Sequence, residues 1–320
     1  MKSSIIRIAG AGLAGMSAAF CLAREGFKVE VYEKKTFPGH ETASYMCALR
    51  NYVEDKNPLK EFRNFHIPIK AMEISPKVIK ISPSFEKRVG YRSYYLVEMG
   101  QSKESIEQQL YMQCLAEGVK FHFKTLGGEV DIVASGAAKD RINIFGYGYI
   151  YKNLNVDPEA TYLVYNNDIA PKGYVFAITK NSQTTMMVIS FDKKEFQTLR
   201  ERFTNALKIF NPLKRMVDGE EIIAEISGGA YYNKDPFTSL KKGNILYVGE
   251  AAGIQDASRG FGLRYAITSG ALAAKSIIEE KDYVELAREY YQDEFLHNLQ
   301  RRDIHDKMTN REYDKIVAMS

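Results

Sequence analysis

Residues 5–16, IIRIAGAGLAGM, restrict the fold more than any other stretch of the 320-residue chain. An apolar run at 5–9 leads into Gly10, Gly12 and Gly15, spaced G-x-G-x-x-G, and a helical pattern covers about 13–25. A second strand pattern at 28–32 completes a strand–helix–strand unit of about 30 residues, the size of a parallel crossover. In such a unit the first glycine permits the tight turn, and the second lets backbone approach a pyrophosphate. The third lets helix and strand pack closely. The loop N–H groups, carried by Gly10, Ala11, Gly12, Leu13, Ala14 and Gly15, are expected to face phosphate at the start of the helix. Glu33 ends the second strand, where an acid accepts hydrogen bonds from a ribose diol and disfavours a 2′-phosphate. An adenine dinucleotide is expected, and this loop alone leaves NAD and FAD both open.

The simplest nicotinamide enzymes would continue with further strand–helix–strand units. Here residues 66–98 instead alternate with period two and are interrupted by prolines, the pattern of antiparallel strands. Residues 102–118, SKESIEQQLYMQCLAEG, read as a helix with Ser102 as its cap, Glu104 in its first turn and Gly118 closing it. Strand patterns follow in VKFHF and VDIVASG, and 141–227 is mostly strand with one helix at about 193–209. NILYVG returns as a short buried strand, and helix dominates to the end. The expected fold class is α/β (α+β overall). A Rossmann-like dinucleotide-binding domain would come from 1–65, 99–140 and 240–280. An antiparallel β-sheet substrate domain would be inserted at 66–98 and 141–239, and 281–320 would form a C-terminal helical tail.

Composition narrows the alternatives. A net charge of +4 with no dense basic run argues against nucleic acid as a partner. Cys21, Cys47 and Cys114 have no paired spacing, so neither a disulfide frame nor a metal site is expected. No apolar run reaches about 18 residues, so no transmembrane segment is expected. The apolar start carries its glycines on the dinucleotide spacing and reads as folded chain rather than a leader. The expected location is cytoplasmic, with contact at a membrane periphery left open. Charges of both signs in the tail favour packing on the protein over anionic lipid.

A second glycine-rich turn decides between NAD and FAD. Residues 245–270, ILYVGEAAGIQDASRGFGLRYAITSG, repeat the order strand, glycine turn, helix, without a second fingerprint. Together with GAGLAGMSAAFCLAREGFKVEVYEKK and VASGA, this stretch resembles the FAD-dependent oxidoreductases of the geranylgeranyl reductase and aromatic hydroxylase type, of which the chain would be a short member. APKGYVFAI is similar to the segment of geranylgeranyl reductases written P-x-G-Y-x-W-x-F-P. The resemblance covers most of residues 1–280 and implies FAD as the cofactor. It implies that Glu250, after Gly249, holds the ribitol and that Gly262 and Leu263 present N–H groups to the flavin. Lys34 and the Ala134–Ser135–Gly136 stretch would also lie along the cofactor.

It further implies flavin chemistry on a small apolar, isoprenoid-like substrate, by reduction or oxidation of a carbon–carbon double bond with hydride passing through flavin N5. With one fingerprint only, NAD(P)H would visit transiently or a protein electron donor would reduce the flavin. A monooxygenase and a non-redox nucleotide-holding protein of the same fold are the alternatives. Three departures accompany the resemblance: Glu250 replaces the usual Asp, Met99 stands where relatives place an Arg, and ASGA replaces the hydroxylases' ADG. No catalytic residue is assigned. Cys47 is a weak candidate because reductases of this type carry a cysteine in a nearby loop, and Tyr174 is another because it lies in the matching segment. Tyr147, Tyr149 and Tyr151 lie on a strand whose alternation would send some of them to the cavity. His122 reads as packed, and His40 as a plain loop histidine, with a place near the cofactor as the alternative. Asp256, Arg259 and Phe261 fall within the second loop without assigned roles.

Overall fold

A computed structural model describes residues 5–39, 43–50, 57–73, 77–90, 95–152 and 154–320. The opening unit forms as its pattern requires: strand β1 (Ile5–Ala9), helix α1 (Leu13–Arg24) and strand β2 (Lys28–Glu33). Nearly every side chain of α1 from Leu13 to Leu22 is buried. Its run of Ala, Gly and Ser lets neighbouring elements approach closely, while Met16, Phe20 and Leu22 fill the core. Strand β3 (Tyr45–Leu49), helix α2 (Pro58–Asn64), strand β4 (Met72–Glu73), the hairpin β5 (Lys77–Ile81) and β6 (Glu86–Gly90), and strand β7 (Tyr95–Met99) follow. Helix α3 (Ile106–Ala116) is capped by Ser105, whose hydroxyl accepts from the Gln108 N–H, with Glu107 in the first turn. This corrects the expected Ser102 cap and Glu104 first turn by three residues. Both serines precede an acid at a workable spacing, and only the buried face of the helix decides between them.

Strands β8 (Lys120–Phe123) and β9 (Ile132–Val133) lead to β10 (Ile144–Lys152), β11 (Thr161–Val164), β12 (Tyr174–Lys180) and β13 (Gln183–Ser190). The helical stretch expected at 193–209 is a 3-10 turn at Lys193–Glu195 and helix α4 (Leu199–Ile209), followed by a further helix, α5 (Asn211–Val217). Strand β14 (Glu221–Ala230) comes next. Strands β15 (Lys241–Lys242) and β16 (Ile245–Tyr247) and helices α6 (Leu263–Ile278), α7 (Tyr283–Lys307) and α8 (Asn310–Met319) complete the chain.

The strands form three sheets among the described residues. The first runs β15-β16-β9-β1-β2-β8, parallel except for β15, and places β1 between β9 and β2. The second runs β14-β10-β13-β12-β11-β5-β6 and is antiparallel except for the β11–β5 pair. A small sheet, β3-β7-β4, joins them, with the Met46 N–H donating to Thr185 Oγ1 at 3.0 Å. One face of the second sheet packs on α4 and α5 through Tyr147, Tyr151, Val188, Phe203 and Leu213.

Helices α1 and α6 cross closely. Ser17 Oγ donates to the Ile267 carbonyl at 2.7 Å, and a Cβ at Gly270 would fall 2.1 Å from the Ala14 oxygen. The tail packs on the protein, as its mixed charge suggested: Tyr291 and Phe295 of α7 enter the main core, and Tyr313 of α8 stacks on Tyr165 at 5.4 Å. Among the described residues no helix is long and apolar enough to cross a membrane.

Candidate functional site: a cavity between the first two sheets

A cavity of ≈ 650 Å³ lies where the glycine loops, the small sheet and the open face of the second sheet meet. Gly10, Ala11, Gly12, Leu13 and Ala14 line it from the first loop, and Glu33 and Lys34 from the end of β2. Ala134, Ser135 and Gly136 line it after β9, and Gly249, Glu250, Gly262 and Leu263 from the second loop. Gly15 does not reach it. A Cβ there would sit 2.0 Å from the Gly10 oxygen, so this glycine serves the packing of α1 against its strand. Gly10, at φ 106°, makes the turn, and its own Cβ would strike the Ala134 oxygen at 2.4 Å. Gly12 differs from both: its Cβ direction is open, as expected of a position that leaves room for a ligand.

The two loops share a second property. Helices α2, α3, α7 and α8 begin with side-chain caps from Asn57, Ser105, Asp282 and Thr309. Helices α1 and α6, whose first residues line the cavity, have no side-chain cap and no acid in the first turn; α4 and α5 also lack side-chain caps but do not line the cavity. Their first helical bonds are Met16 N–H to Gly12 O and Ala266 N–H to Gly262 O. The preceding N–H groups lack intrahelical acceptors and carry the positive end of each helix dipole. Two such ends on one cavity suit a long ligand with negative charge at one end and an electron-accepting ring at the other. Glu33 stands beside the first loop, accepting from the Ala11 N–H at 2.8 Å and the Lys35 N–H at 2.9 Å. The residues present therefore fit a long dinucleotide cofactor such as FAD.

Three carboxyls here are pushed upward by burial. Glu250 accepts from Gln255 Nε2 at 3.1 Å, yet removal from bulk water raises it from 4.5 to about 7. Glu107, almost fully buried, also rises to about 7, with the Gly100 N–H and Lys35 opposing the shift. Asp256 rises to about 6 by burial, although the N–H groups of Ser258, Arg259 and Phe261 all donate to it. Those bonds fold the second loop so that Arg259 and Phe261 line the cavity while Asp256 stays behind it.

The wall contributed by the second sheet is mostly apolar, with Ile144, Leu163, Phe176, Ile178, Met187 and Ile189, and Thr161 and Ser227 as its hydroxyls. Tyr174 stands at its end, and its hydroxyl donates to the Arg259 carbonyl at 2.7 Å. The Arg259 guanidinium lies 5.2 Å from the Tyr165 ring and 5.9 Å from Tyr174. The expectation that tyrosines of β10 reach the cavity is corrected. Tyr147, Tyr149 and Tyr151 share the opposite face, where Tyr149 stacks on Phe203 of α4, and β10 gives the cavity Ile144 and Gly146. Alternation told which residues share a face but not which face is inward.

Cys47 lines the cavity from β3, opposite Val97, and burial pushes its thiol up to about 12. Tyr45, two residues earlier, also lines it, as does Met99. Tyr45 and Glu107 were not singled out in the sequence; their signals are the two-residue spacing from Cys47 and an acid in a helix's first turn. His122 stacks on Tyr32 at 4.8 Å, outside the cavity, and His40 lies outside the described residues.

Known proteins agree with this architecture. Residues 8–58 match the model of NAD(P)-binding Rossmann-like domains. A digeranylgeranylglycerophospholipid reductase of Methanosphaerula palustris is 29% identical over 131 residues, which is 41% of this chain and 32% of that protein. The match thus spans about a third of the curated relative's length. A geranylgeranyl bacteriochlorophyll reductase-like protein from Thermoplasma acidophilum superposes with a TM-score of 0.77 at 18% identity, covering 98% of this chain and 90% of that one. A flavin-dependent brominase reaches a TM-score of 0.63 at 13% identity over 90% of this chain and 82% of its own. At these identities the solved structures show the shared fold. The resemblance to geranylgeranyl reductase-like flavoproteins and the Rossmann-like α/β fold are borne out, and FAD as the cofactor accords with them.

Proposed function

We propose that this chain is an FAD-dependent oxidoreductase that reduces, or in reverse forms, a carbon–carbon double bond in an apolar isoprenoid-like substrate. The observation that carries this reading is the continuity of the cavity: two uncapped helix ends and a glycine cradle open onto a wall of Ile, Leu, Met and Phe. When bound, FAD supplies two-electron hydride chemistry. The chain's residues do the rest. Gly12 leaves space for the pyrophosphate, Glu33 takes the ribose, Glu250 takes the ribitol, and Gly262 and Leu263 point N–H groups toward the ring. The apolar wall orients the substrate and keeps water away. Tyr174 holds the second loop through the Arg259 carbonyl and closes one end of that wall. Cys47 and Tyr45 face the same space, with the thiol held neutral and so available as a proton donor rather than a nucleophile. The parallel sheet with its helices would form the cofactor domain and the seven-stranded sheet the substrate domain. Electrons would come from a transient NAD(P)H or from a protein donor.

The test is anaerobic. Holoprotein reduced by dithionite is mixed with a digeranylgeranyl glycerophospholipid. The expected result is return of the oxidised flavin spectrum together with two hydrogens gained per reduced double bond, by mass spectrometry. Reoxidation only in air, with oxygen incorporated into an aromatic substrate, would favour the monooxygenase reading. Flavin that neither reduces nor reoxidises would favour the non-redox one. Repeating the reduction with NADPH in place of dithionite separates the two donor classes.

A further inference from the structure

The first turn of α6 contains an arginine that the cavity does not see. Arg264 is 1% exposed, at the second position of a helix whose N-terminal end already bears positive potential. A cation there is unfavourable unless it is paired, and it is paired twice. Glu61 of α2 accepts from Arg264 Nε at 2.5 Å and from Nη2 at 2.7 Å, a two-pronged contact. Glu294 of α7 accepts from Nη1 at 2.6 Å. The Tyr265 hydroxyl also donates to Glu294, Asn298 Nδ2 donates to the Tyr265 hydroxyl at 2.8 Å, and the Tyr290 hydroxyl donates to Glu61 at 2.9 Å. Together Glu61 and Glu294 hold Arg264 far above its ordinary range, against the opposing effect of burial.

The cluster has two consequences. Mechanically, it clamps the first turn of α6 between α2 and α7, so the tail helix fixes the helix end that lines the cavity. Electrically, one guanidinium against two carboxylates leaves a net single negative charge at the first turn of α6. That charge subtracts from the positive potential the helix end offers the cavity. Two-electron reduction of FAD with uptake of one proton leaves the bound flavin one unit more negative than before. A weaker positive potential disfavours that state and makes the bound flavin a stronger reductant, which reduction of an isolated double bond requires.

We infer that Glu61, Arg264 and Glu294 are positioning residues that fix the α6 N-terminus at the flavin and set its reduction potential low. The inference rests on the reading of the cavity as an FAD site. A unit charge on the order of 10 Å away, across an effective dielectric of about 20, shifts an equilibrium by roughly tenfold or more.

The test measures the flavin midpoint potential of the holoprotein by equilibration with a reference dye, for wild type, Glu294→Gln, Glu61→Gln and the uncharged controls Tyr265→Phe and Tyr290→Phe. Each Gln variant keeps a hydrogen-bonding amide of the same shape. It should favour the reduced flavin by about tenfold at fixed dye potential, equivalent to about 30 mV for a two-electron couple. The Phe variants remove a hydrogen bond without removing charge and should lower the melting temperature while leaving the potential in place. Equal potentials in the wild type and both Gln variants would overturn the inference, whatever happens to stability. Should Glu294→Gln fail to fold, the less buried Glu61→Gln carries the same prediction. A wild type that takes up no FAD would instead refute the cofactor reading, and the inference with it.

Discussion

The two glycine turns of this protein look alike in sequence and behave differently in structure. Each leads from a parallel strand into an uncapped helix, and both helix ends line one cavity. The first turn is almost all backbone: Gly10 bends, Gly12 leaves space, Gly15 packs, and Glu33 from the neighbouring strand supplies the nearby carboxylate. The second, Gly249 to Gly262, is built by side chains. Asp256 folds it from behind, Gln255 meets Glu250, and Arg264 is tied to two carboxylates on other helices. A backbone cradle serves a ligand part that never changes, such as a pyrophosphate. A side-chain scaffold suits the part whose charge changes, because side chains can be altered to tune it.

The sharpest way to break this pairing is to separate the two helices. Gly270 is where α6 meets α1, with its Cβ direction 2.1 Å from the Ala14 oxygen. Gly270→Val is expected to cost about 3 kcal/mol or more by overpacking and to abolish FAD uptake at both loops, read by thermal melts and flavin titration. Next in size is a change at the first loop alone. Gly12 has ordinary φ and open space, so Gly12→Glu should fold with an unchanged melting temperature in the flavin-free chain. Its carboxylate would repel the pyrophosphate and weaken FAD binding by about a hundredfold, or ~2.7 kcal/mol. A matching loss of stability would show that Gly12 is needed for folding and not only for the ligand.

A smaller effect separates the second loop from the first. The Glu250 carboxyl keeps its proton up to about pH 7 when folded, against 4.5 for the ordinary group. Folding therefore takes up a proton between those values. The stability this carboxyl contributes to the flavin-free chain is fully present below about pH 4.5, falls as pH rises toward 7, and then levels. Glu107 adds a loss in the same direction. Glu250→Gln removes its share, so its melting temperature should fall less steeply than that of wild type across this window. Equal slopes would place Glu250 in an ordinary solvated setting. The smallest effect is expected at Cys47. With its thiol pushed up to about 12, it should be alkylated at neutral pH more slowly than an unperturbed thiol of pKa about 8.5. Cys47→Ser should leave FAD affinity unchanged while altering turnover of a working substrate.

What the sequence disclosed follows from how local each signal is. The β1–α1–β2 unit was legible because its glycines, its periods and Glu33 all lie within one crossover. Strand β14 fell largely within the stretch read as mostly strand, but its bounds were not marked, and its burial shows why: as an edge strand it leaves Ile222 and Ile223 in solvent, so no alternation delimits it. The tyrosines of β10 were assigned to a face by a rule that knows only parity. Gly146 and Gly148 on the other parity, pressed against Met187, are what turn the aromatic face toward α4. The Glu61–Arg264–Glu294 cluster could not be read, since its members lie 203 and 30 positions apart and nothing in a single chain couples them.

Whether one FAD spans both turns is decided by equilibrium titration of the flavin-free chain with FAD. Saturation is expected at one FAD per chain, with ADP and riboflavin each binding more weakly and each competing with FAD for the site. No saturable uptake, or an ADP that binds alongside FAD without displacing it, would contradict it.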